Sequence, residues 1–184
     1  DEEDRWWYLN NEQINGKMIL ERLKITDKGC FCCPIPCGKY GKAETERGTV
    51  YVEGPEFETI ALFGGNCVLQ TIEDVAWCNQ VCDELGIDTI SGGAVGGFAI
   101  ECFEKGILTE ADFGRPVRFG DLGSVLHILD LIARREKIGA VLADGVARAA
   151  QQIGKGAENL AVHVKGLEWT GYECRNAPGM MLAY

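Results

Sequence analysis

Positive charge is scarce in this chain: 18 Lys and Arg stand against 28 Asp and Glu over 184 residues, a net charge of −10. The basic residues form no stripe. A phosphate backbone is held by concentrated Lys and Arg, so a nucleic-acid partner is excluded. The densest basic group, Arg134, Arg135 and Lys137, falls at the end of an expected helix, where cations favour the dipole and the exposed carbonyls. Long apolar runs are missing as well, and no stretch reaches the length of a signal-peptide core or a membrane span. There is no Gly-Lys-Ser/Thr phosphate cradle. The Gly-rich stretch from Gly92 to Gly97 follows a helical pattern instead of a strand, so it fails the context for dinucleotide binding. Ser91 and Ser124 have no His and acid arranged beside them, which leaves a hydrolase nucleophile unsupported.

What the chain does have is cysteine. Nine Cys are an odd number, and without a secretory segment they read as thiols of a reduced, cytoplasmic protein. At 46% hydrophobic and 25% charged, the sequence can fill one compact domain or two small subdomains. It opens at Asp1, and the apolar segment begun at Pro178 stops at Tyr184, a pattern expected of a portion of a longer polypeptide. Cys30, Cys33 and Cys37 lie in the run from Cys30 to Gly38, two and three residues apart, with Pro34 and Pro36 stiffening the loop and Gly38 allowing a sharp turn. That spacing suits three corners of an iron–sulfur cube, with Cys32 as a spare. A zinc knuckle with a fourth ligand from elsewhere, or a disulfide cluster, uses the same spacing equally well.

Helical periodicity dominates from Thr71 onward, and Gly86, Gly106, Gly139 and Gly154 mark helix ends. Thr71 reads as an N-cap, with Asp74 at the capping-box position, for a helix whose face carries Ile72, Val75, Ala76, Val81, Cys82 and Leu85. A second helix is expected from Ser91 to Lys105; its small first turns invite close approach to the backbone. A third is expected from Asp121 to Lys137, and a fourth, Ala-rich and suited to tight packing, from Ala140 to Ile153. The N-terminal stretch to Ile25 reads as helix interrupted at Asn15-Gly16, while residues 48–53 and 162–164 read as short strands. The expected fold class is mainly α, a multihelical domain with irregular loops and one or two short strands. Residues 1–155 would form the helical domain and 156–184 the start of a following one.

Acidic groups supply the remaining candidates. Asp83 and Asp88 flank Gly86 and Ile87 across the end of the first long helix, where a carboxylate is disfavoured by about 0.3–1 kcal/mol unless it has a partner. A ring with adjacent N–H donors, such as a pterin, would be such a partner; an ordinary polar helix end is the simpler reading. Glu58, just before the apolar run from Ile60 to Phe63, becomes a proton-transfer candidate if buried and is otherwise a surface acid. His163 and Lys165 alternate along an expected strand and would share a side, which suits an anion site; a core His beside a solvent Lys is the plainer alternative. His127, between Leu126 and Ile128 on a helix, reads as structural.

Taken together, four ordered segments resemble the tungsten-containing aldehyde ferredoxin oxidoreductases: Cys30-x-x-Cys33-Pro34-x-x-Cys37-Gly38, the run from Gly54 to Thr59, the run from Cys82 to Ser91, and the run from His163 to Glu168. The resemblance covers nearly the whole chain and corresponds to most of that family's second domain and the beginning of its third. It implies that Cys30, Cys33 and Cys37 ligate three irons of a 4Fe-4S cluster. Asp83, with Gly86 and Ile87 shaping the turn and Asp88 closing it, would hold one dithiolene of a tungsten or molybdenum bis-molybdopterin. Glu58 and His163 would serve as proton-transfer and substrate-orienting groups, and Lys165 would reach a pterin phosphate. The implied activity is oxidation of an aldehyde to a carboxylic acid with electrons passed to ferredoxin or another electron-transfer protein, in a parent that can form a homo-oligomer. A fourth cluster Cys and a second Asp-x-x-Gly are expected beyond Tyr184, so this piece alone would be inactive. Trp169-Thr170 stands where the family often has Met-Pro, which alters the substrate pocket. The tungsten subunit of a benzoyl-CoA reductase-like complex shares these motifs, and a zinc-stabilised helical module without catalysis is the competing class.

Overall fold

The structure, a computed structural model, describes residues 12–172 and 177–183. It is helix-rich, 53% helix against 14% strand, with two small antiparallel sheets. The first sheet runs β1 (Lys24–Lys28), β2 (Gly38–Thr45), β3 (Gly48–Glu53) in simple succession. The β2–β3 register pairs Tyr40 with Glu53 and Lys42 with Tyr51, so alternate residues share a face. Ala43, Val50 and Val52 are buried in the main core. On the outer face Tyr40 stacks on Tyr51, and the Lys28 and Lys42 ammonium groups lie over the two rings.

The strand content exceeds expectation. Residues 48–53 carry the strongest β-branched signal of this sheet; β1 is mostly charged and β2 is polar and Gly-bearing, and successive pairing of β2 with β3 and of β1 with β2 makes them strands. Of the expected N-terminal helix, residues 1–11 lie outside the described residues; the rest is interrupted at Asn15 as read and gives way to β1 at Lys24. Short α1 (Gly16–Met18), capped by Asn15, passes into a π-helical turn at Ile19–Leu23 and then into β1.

A second short helix, α2 (Phe57–Thr59), continues into a seven-residue π-helix, Ile60–Asn66. Beyond it the long helices lie close to the pattern read from sequence, but the one expected from Ser91 opens at Thr89. The one expected to reach Lys137 ends at Arg134 with Arg135 in the left-handed position, while Gly139 opens the next helix. Thr71 caps α3 (Ile72–Leu85), its hydroxyl accepting from the Asp74 N–H at 3.2 Å, and Gly86 ends the helix at φ +69°. Asp88 caps α4 (Thr89–Glu104) through the Ser91 N–H at 2.8 Å. Small α5 (Glu110–Phe113) inserts Phe113 into the core. Asp121 caps α6 (Leu122–Arg134). The single helix expected from Ala140 to Ile153 is instead α7 (Gly139–Leu142) and α8 (Val146–Ile153), broken at Gly145, whose φ is +86°. A hairpin, β4 (His163–Val164) and β5 (Leu167–Glu168), follows, and α9 (Pro178–Ala183) ends the described chain. No helix among the described residues is long and apolar enough to cross a membrane.

Close approach to the start of α4 is realised by the protein itself. A Cβ on Gly93 would stand 2.6 Å from the Leu62 Cβ, so this glycine lets the π-helix lie directly on α4. Asn66 Nδ2 then donates to the Gly93 carbonyl at 3.1 Å, and the buried Cys67 thiol lies 3.3 Å from the same oxygen.

Candidate functional site

At the N-terminal turn of α4 three of the four motifs meet, those of residues 54–59, 82–91 and 163–168. Asp83, at the end of α3, and Asp88, before α4, are joined by the left-handed turn at Gly86, with Ile87 packed against the core. Asp83 is exposed, and its Oδ2 accepts from Asn79 Nδ2 at 2.9 Å. Partial desolvation holds the Asp83 carboxyl above its ordinary range; the Asn79 bond opposes the shift and the Glu53 charge adds to it. Asp88 is committed to capping α4, whereas the hydrogen bond of Asp83 uses Oδ2 alone.

Two neighbours, Thr59 and Glu168, brace this turn. Thr59 and Thr89 share a hydroxyl hydrogen bond at 2.9 Å, fixing α2 to the first residue of α4. One residue before Thr59, half-buried Glu58 accepts the Gly171 N–H on Oε2 at 2.6 Å, so its carboxylate is tied to the loop after β5. From β5, Glu168 Oε2 accepts the Ser91 hydroxyl at 2.9 Å while Oε1 accepts the Val146 N–H at 2.7 Å. Glu168 therefore supplies the missing cap of α8, whose N-cap Gly145 has no side chain, and clamps the hairpin to α4.

His163 pairs with Glu168 in the hairpin and is exposed, its Nδ1 accepting the Gly166 N–H at 3.4 Å. Lys165 departs from expectation: it sits in the turn at φ +54°, next to Gly166 at φ +90°, so the alternation that would align it with His163 does not reach it. Between this loop and α4 lies a cleft of about 450 Å³ lined by Leu62, Asn66, Gly97, Phe98, Trp169 and Thr170. His127 is structural as read: its Nε2 lies 3.0 Å from the Phe113 carbonyl.

The cysteine loop joins β1 to β2. Cys30, Cys32, Cys33 and Cys37 are exposed free thiols, and Phe31 at the tip is 98% exposed. The Cys33 N–H donates to the Cys30 carbonyl at 3.0 Å, and the Cys37 N–H to the Ile35 carbonyl at 2.9 Å. Soft thiolate donors on one short loop match an iron–sulfur core in kind. Among the described residues, no three Cys, His, Asp or Glu form a ready-made cation cage. The donor chemistry fits; the geometry is that of a loop able to close round a core rather than a finished cage. Cys67, Cys78 and Cys82 belong to the buried interior, where desolvation pushes the Cys67 and Cys82 thiols up to about 12 and lifts Cys78 as well. Cys174 lies outside the described residues.

The loop and Asp83 are structurally connected. Lys39, two residues past Cys37, accepts the Gly54 N–H on its carbonyl at 2.7 Å, and Gly54 lies against Asn79, the partner of Asp83. A family model described as aldehyde ferredoxin oxidoreductase, domains 2 and 3, matches residues 3–184. The chain belongs to the aldehyde ferredoxin oxidoreductase family. It is 34% identical over 172 residues to a tungsten-containing aldehyde ferredoxin oxidoreductase of Pyrococcus furiosus, covering 92% of this chain and 28% of the relative. Similarity to an aliphatic sulfonate oxidoreductase, WOR-like subunit, of the same organism is 37% over 167 residues, 87% of this chain and 27% of the relative. Among solved structures it resembles the active-site complex BamBC of benzoyl coenzyme A reductase bound to 1,5-dienoyl-CoA, with a TM-score of 0.68 and 29% identity over 83% of this chain and 22% of that one. The chain thus spans about 28% of the length of the first two curated relatives.

In this family member, sequence reading singled out Asp83, Asp88, Glu58 and His163 but passed over Asn79 and the clamp made by Glu168. Asn79 was detectable in principle, since an amide four residues before an acid on a helix is a hydrogen-bonding neighbour. The clamp was not, because Ser91 and Glu168 are 77 residues apart.

Proposed function

We propose that this chain carries one pterin-holding turn and three cluster ligands of a tungstopterin iron–sulfur oxidoreductase, which oxidises an aldehyde to a carboxylic acid and passes electrons to a ferredoxin. The single observation that carries the proposal is the run of contacts from the stem of the cysteine loop to Asp83: the Gly54 N–H donates to the Lys39 carbonyl, Gly54 packs against Asn79, and Asn79 donates to Asp83, which supports reading the two motifs as parts of one centre. Family membership and the tungsten-containing relatives support the same reading.

When bound, the tungsten–pterin group and a 4Fe-4S cluster supply the two-electron oxidation and its division into single-electron transfers. The chain's own residues bind and orient. Asp83, free on Oδ1 of the Asn79 bond, accepts from the N–H edge of the pterin, and Asp88 fixes the turn by capping α4. Cys30, Cys33 and Cys37 offer thiolates to three irons. Glu58 and His163 move or orient protons at the substrate, Glu58 anchored by Gly171 and His163 presenting Nε2. Lys165, at the hairpin tip, reaches a phosphate. A domain boundary near residue 156, a homo-oligomeric parent and a cytoplasmic setting belong to the same proposal.

The test is metal content and turnover of the complete, anaerobically purified protein. Iron and tungsten with viologen-linked aldehyde oxidation are expected; stoichiometric zinc without iron or tungsten overturns the proposal in favour of a zinc-stabilised module. A second reading, the tungsten subunit of a benzoyl-CoA reductase-like complex, is favoured by the structural likeness to BamBC. Metal with no aldehyde turnover but activity on benzoyl-CoA selects it.

A further inference from the structure

Asn79 is only 4% exposed, an amide on the face of α3 that otherwise presents Ile72, Val75, Ala76, Cys78 and Cys82 to the core. A buried amide needs partners, and the surroundings of this one belong to two different parts of the site. Its Nδ2 donates to Asp83 Oδ2. Its Oδ1 lies against Gly54, where an added Cβ would stand 3.1 Å away. Gly54 in turn donates to the Lys39 carbonyl, and Lys39 Nζ donates to the Cys37 carbonyl at 2.8 Å. Asn79 is therefore a side chain that bonds the acid of the α3–α4 turn and packs on Gly54, whose N–H is bonded to the β2 stem of the cysteine loop.

We infer that Asn79 is a positioning residue for Asp83: it fixes the rotamer of the carboxylate presented to a bound pterin and holds it in register with the stem of the cysteine loop. The inference rests on the reading of Asp83 as the pterin-facing acid. Asp83 needs such a partner, because it stands at the negative end of α3 with Glu53 as a further unfavourable charge. The bond to Asn79 occupies Oδ2 and leaves Oδ1 for a ligand. A leucine at position 79 would keep the volume and remove the donor, and the carboxylate would then be free to turn into solvent.

The experiment compares Asn79→Leu, Asp83→Ala and the double variant in the complete protein, reading tungsten and iron per chain, the tungsten(V) paramagnetic resonance spectrum and the thermal midpoint. Asn79→Leu is expected to lower tungsten content several-fold and alter the tungsten(V) signal with iron unchanged, and the double variant to retain as much tungsten as Asp83→Ala alone. Losses that multiply in the double variant overturn the inference, since they mean that Asn79 acts on something other than Asp83. Wild-type tungsten and an unaltered signal in Asn79→Leu, with tungsten lost in Asp83→Ala, overturn the positioning role alone. Full tungsten in Asp83→Ala overturns the underlying reading of Asp83 together with it. Should Asn79→Leu not accumulate, Asn79→Ser, which keeps a polar group too short to reach, is read by the same criteria.

Discussion

The cysteine loop and the α3–α4 turn are assigned the same kind of work, yet they are built in opposite ways. The loop is exposed along its length from Cys30 to Cys37 and is held by short-range bonds such as Cys33 to Cys30 and Cys37 to Ile35. The turn is fixed from outside by Thr59, Asn79 and Glu168, which come from three other parts of the chain or the preceding helix. A turn that recognises a large organic ring by hydrogen bonds must be rigid before the ring arrives, because misplacement of the donors and acceptors by an ångström forfeits the contact. Thiolate–iron bonds are strong enough to order their own loop as they form, in the way that metal binding supplies folding energy to small metal sites. The comparison teaches that preorganisation sits where the individual interactions are weakest.

The sharpest break of that comparison is chemical, and its effect is all or none. With the cluster removed anaerobically, an alkylating reagent at pH 8 is expected to label Cys30, Cys32, Cys33 and Cys37 and to spare Cys67, Cys78 and Cys82, which burial keeps protonated. With the cluster in place, Cys32 alone of the four should react. Peptide mapping reads both outcomes; protection of Cys33 without iron would mean that the loop is preformed after all. Cys33→Ser should remove iron and leave the helical signal in circular dichroism unchanged.

On the turn side the largest effect comes from Gly93→Ala. Its Cβ would meet Leu62 at 2.6 Å and the Leu62 carbonyl carbon at 2.9 Å, so α4 and the π-helix must part. A loss of about 3 kcal/mol in urea unfolding is expected, at the upper end of overpacking costs. Glu168→Ala removes two hydrogen bonds to a charged acceptor, and about 2 kcal/mol is expected, with most of it restored in Glu168→Gln, whose amide can still accept from Val146 and donate to Ser91. Equal losses in both variants would show that the charge matters more than the bonds.

The same contrast explains what could be read from sequence. Helix boundaries were legible wherever one residue decides them and was recognised: Thr71 as a cap and Gly86 as a left-handed stop, whereas the cap made by Asp88 starts α4 two residues before the Ser91 expected. The strands Lys24–Lys28 and Gly38–Thr45 were not, because Ile25, Thr26, Tyr40 and Thr45 are outnumbered by Lys, Asp, Glu, Gly and Ala; the pairing partners decide. The break at Gly145 was missed because Ala-rich flanks on both sides satisfy helical periodicity, and the decisive cap comes from Glu168, 22 residues away. Lys165 was assigned to a strand because alternation cannot see that Lys-Gly forms the hairpin turn. Motif residues were found because their chemistry is written locally, whereas most contacts that hold them, such as Glu58 to Gly171 and Ser91 to Glu168, are long-range; Asn79 to Asp83 is the local exception.

The smallest effect tests whether capping on the helical side is electrostatic. The Asp112 carboxylate accepts the Thr109 N–H at 2.7 Å and the Thr109 hydroxyl at 2.8 Å, closing the first turn of α5 beneath buried Phe113. These bonds, the backbone one foremost, hold the Asp112 carboxyl below its ordinary value of 3.8. A depressed folded value means that the stabilisation is complete above the unfolded value and is lost as pH falls through the lower folded one. Asp112→Ala should therefore cost about 1 kcal/mol at pH 7, a typical capping contribution. The gap between wild type and variant in urea midpoint should close as pH falls below 3.8 and the carboxyl takes up its proton. A gap that stays constant from neutral pH down through that range would mean that Asp112 works through packing or shape, and would remove charge from the account of how this half of the molecule is held ready.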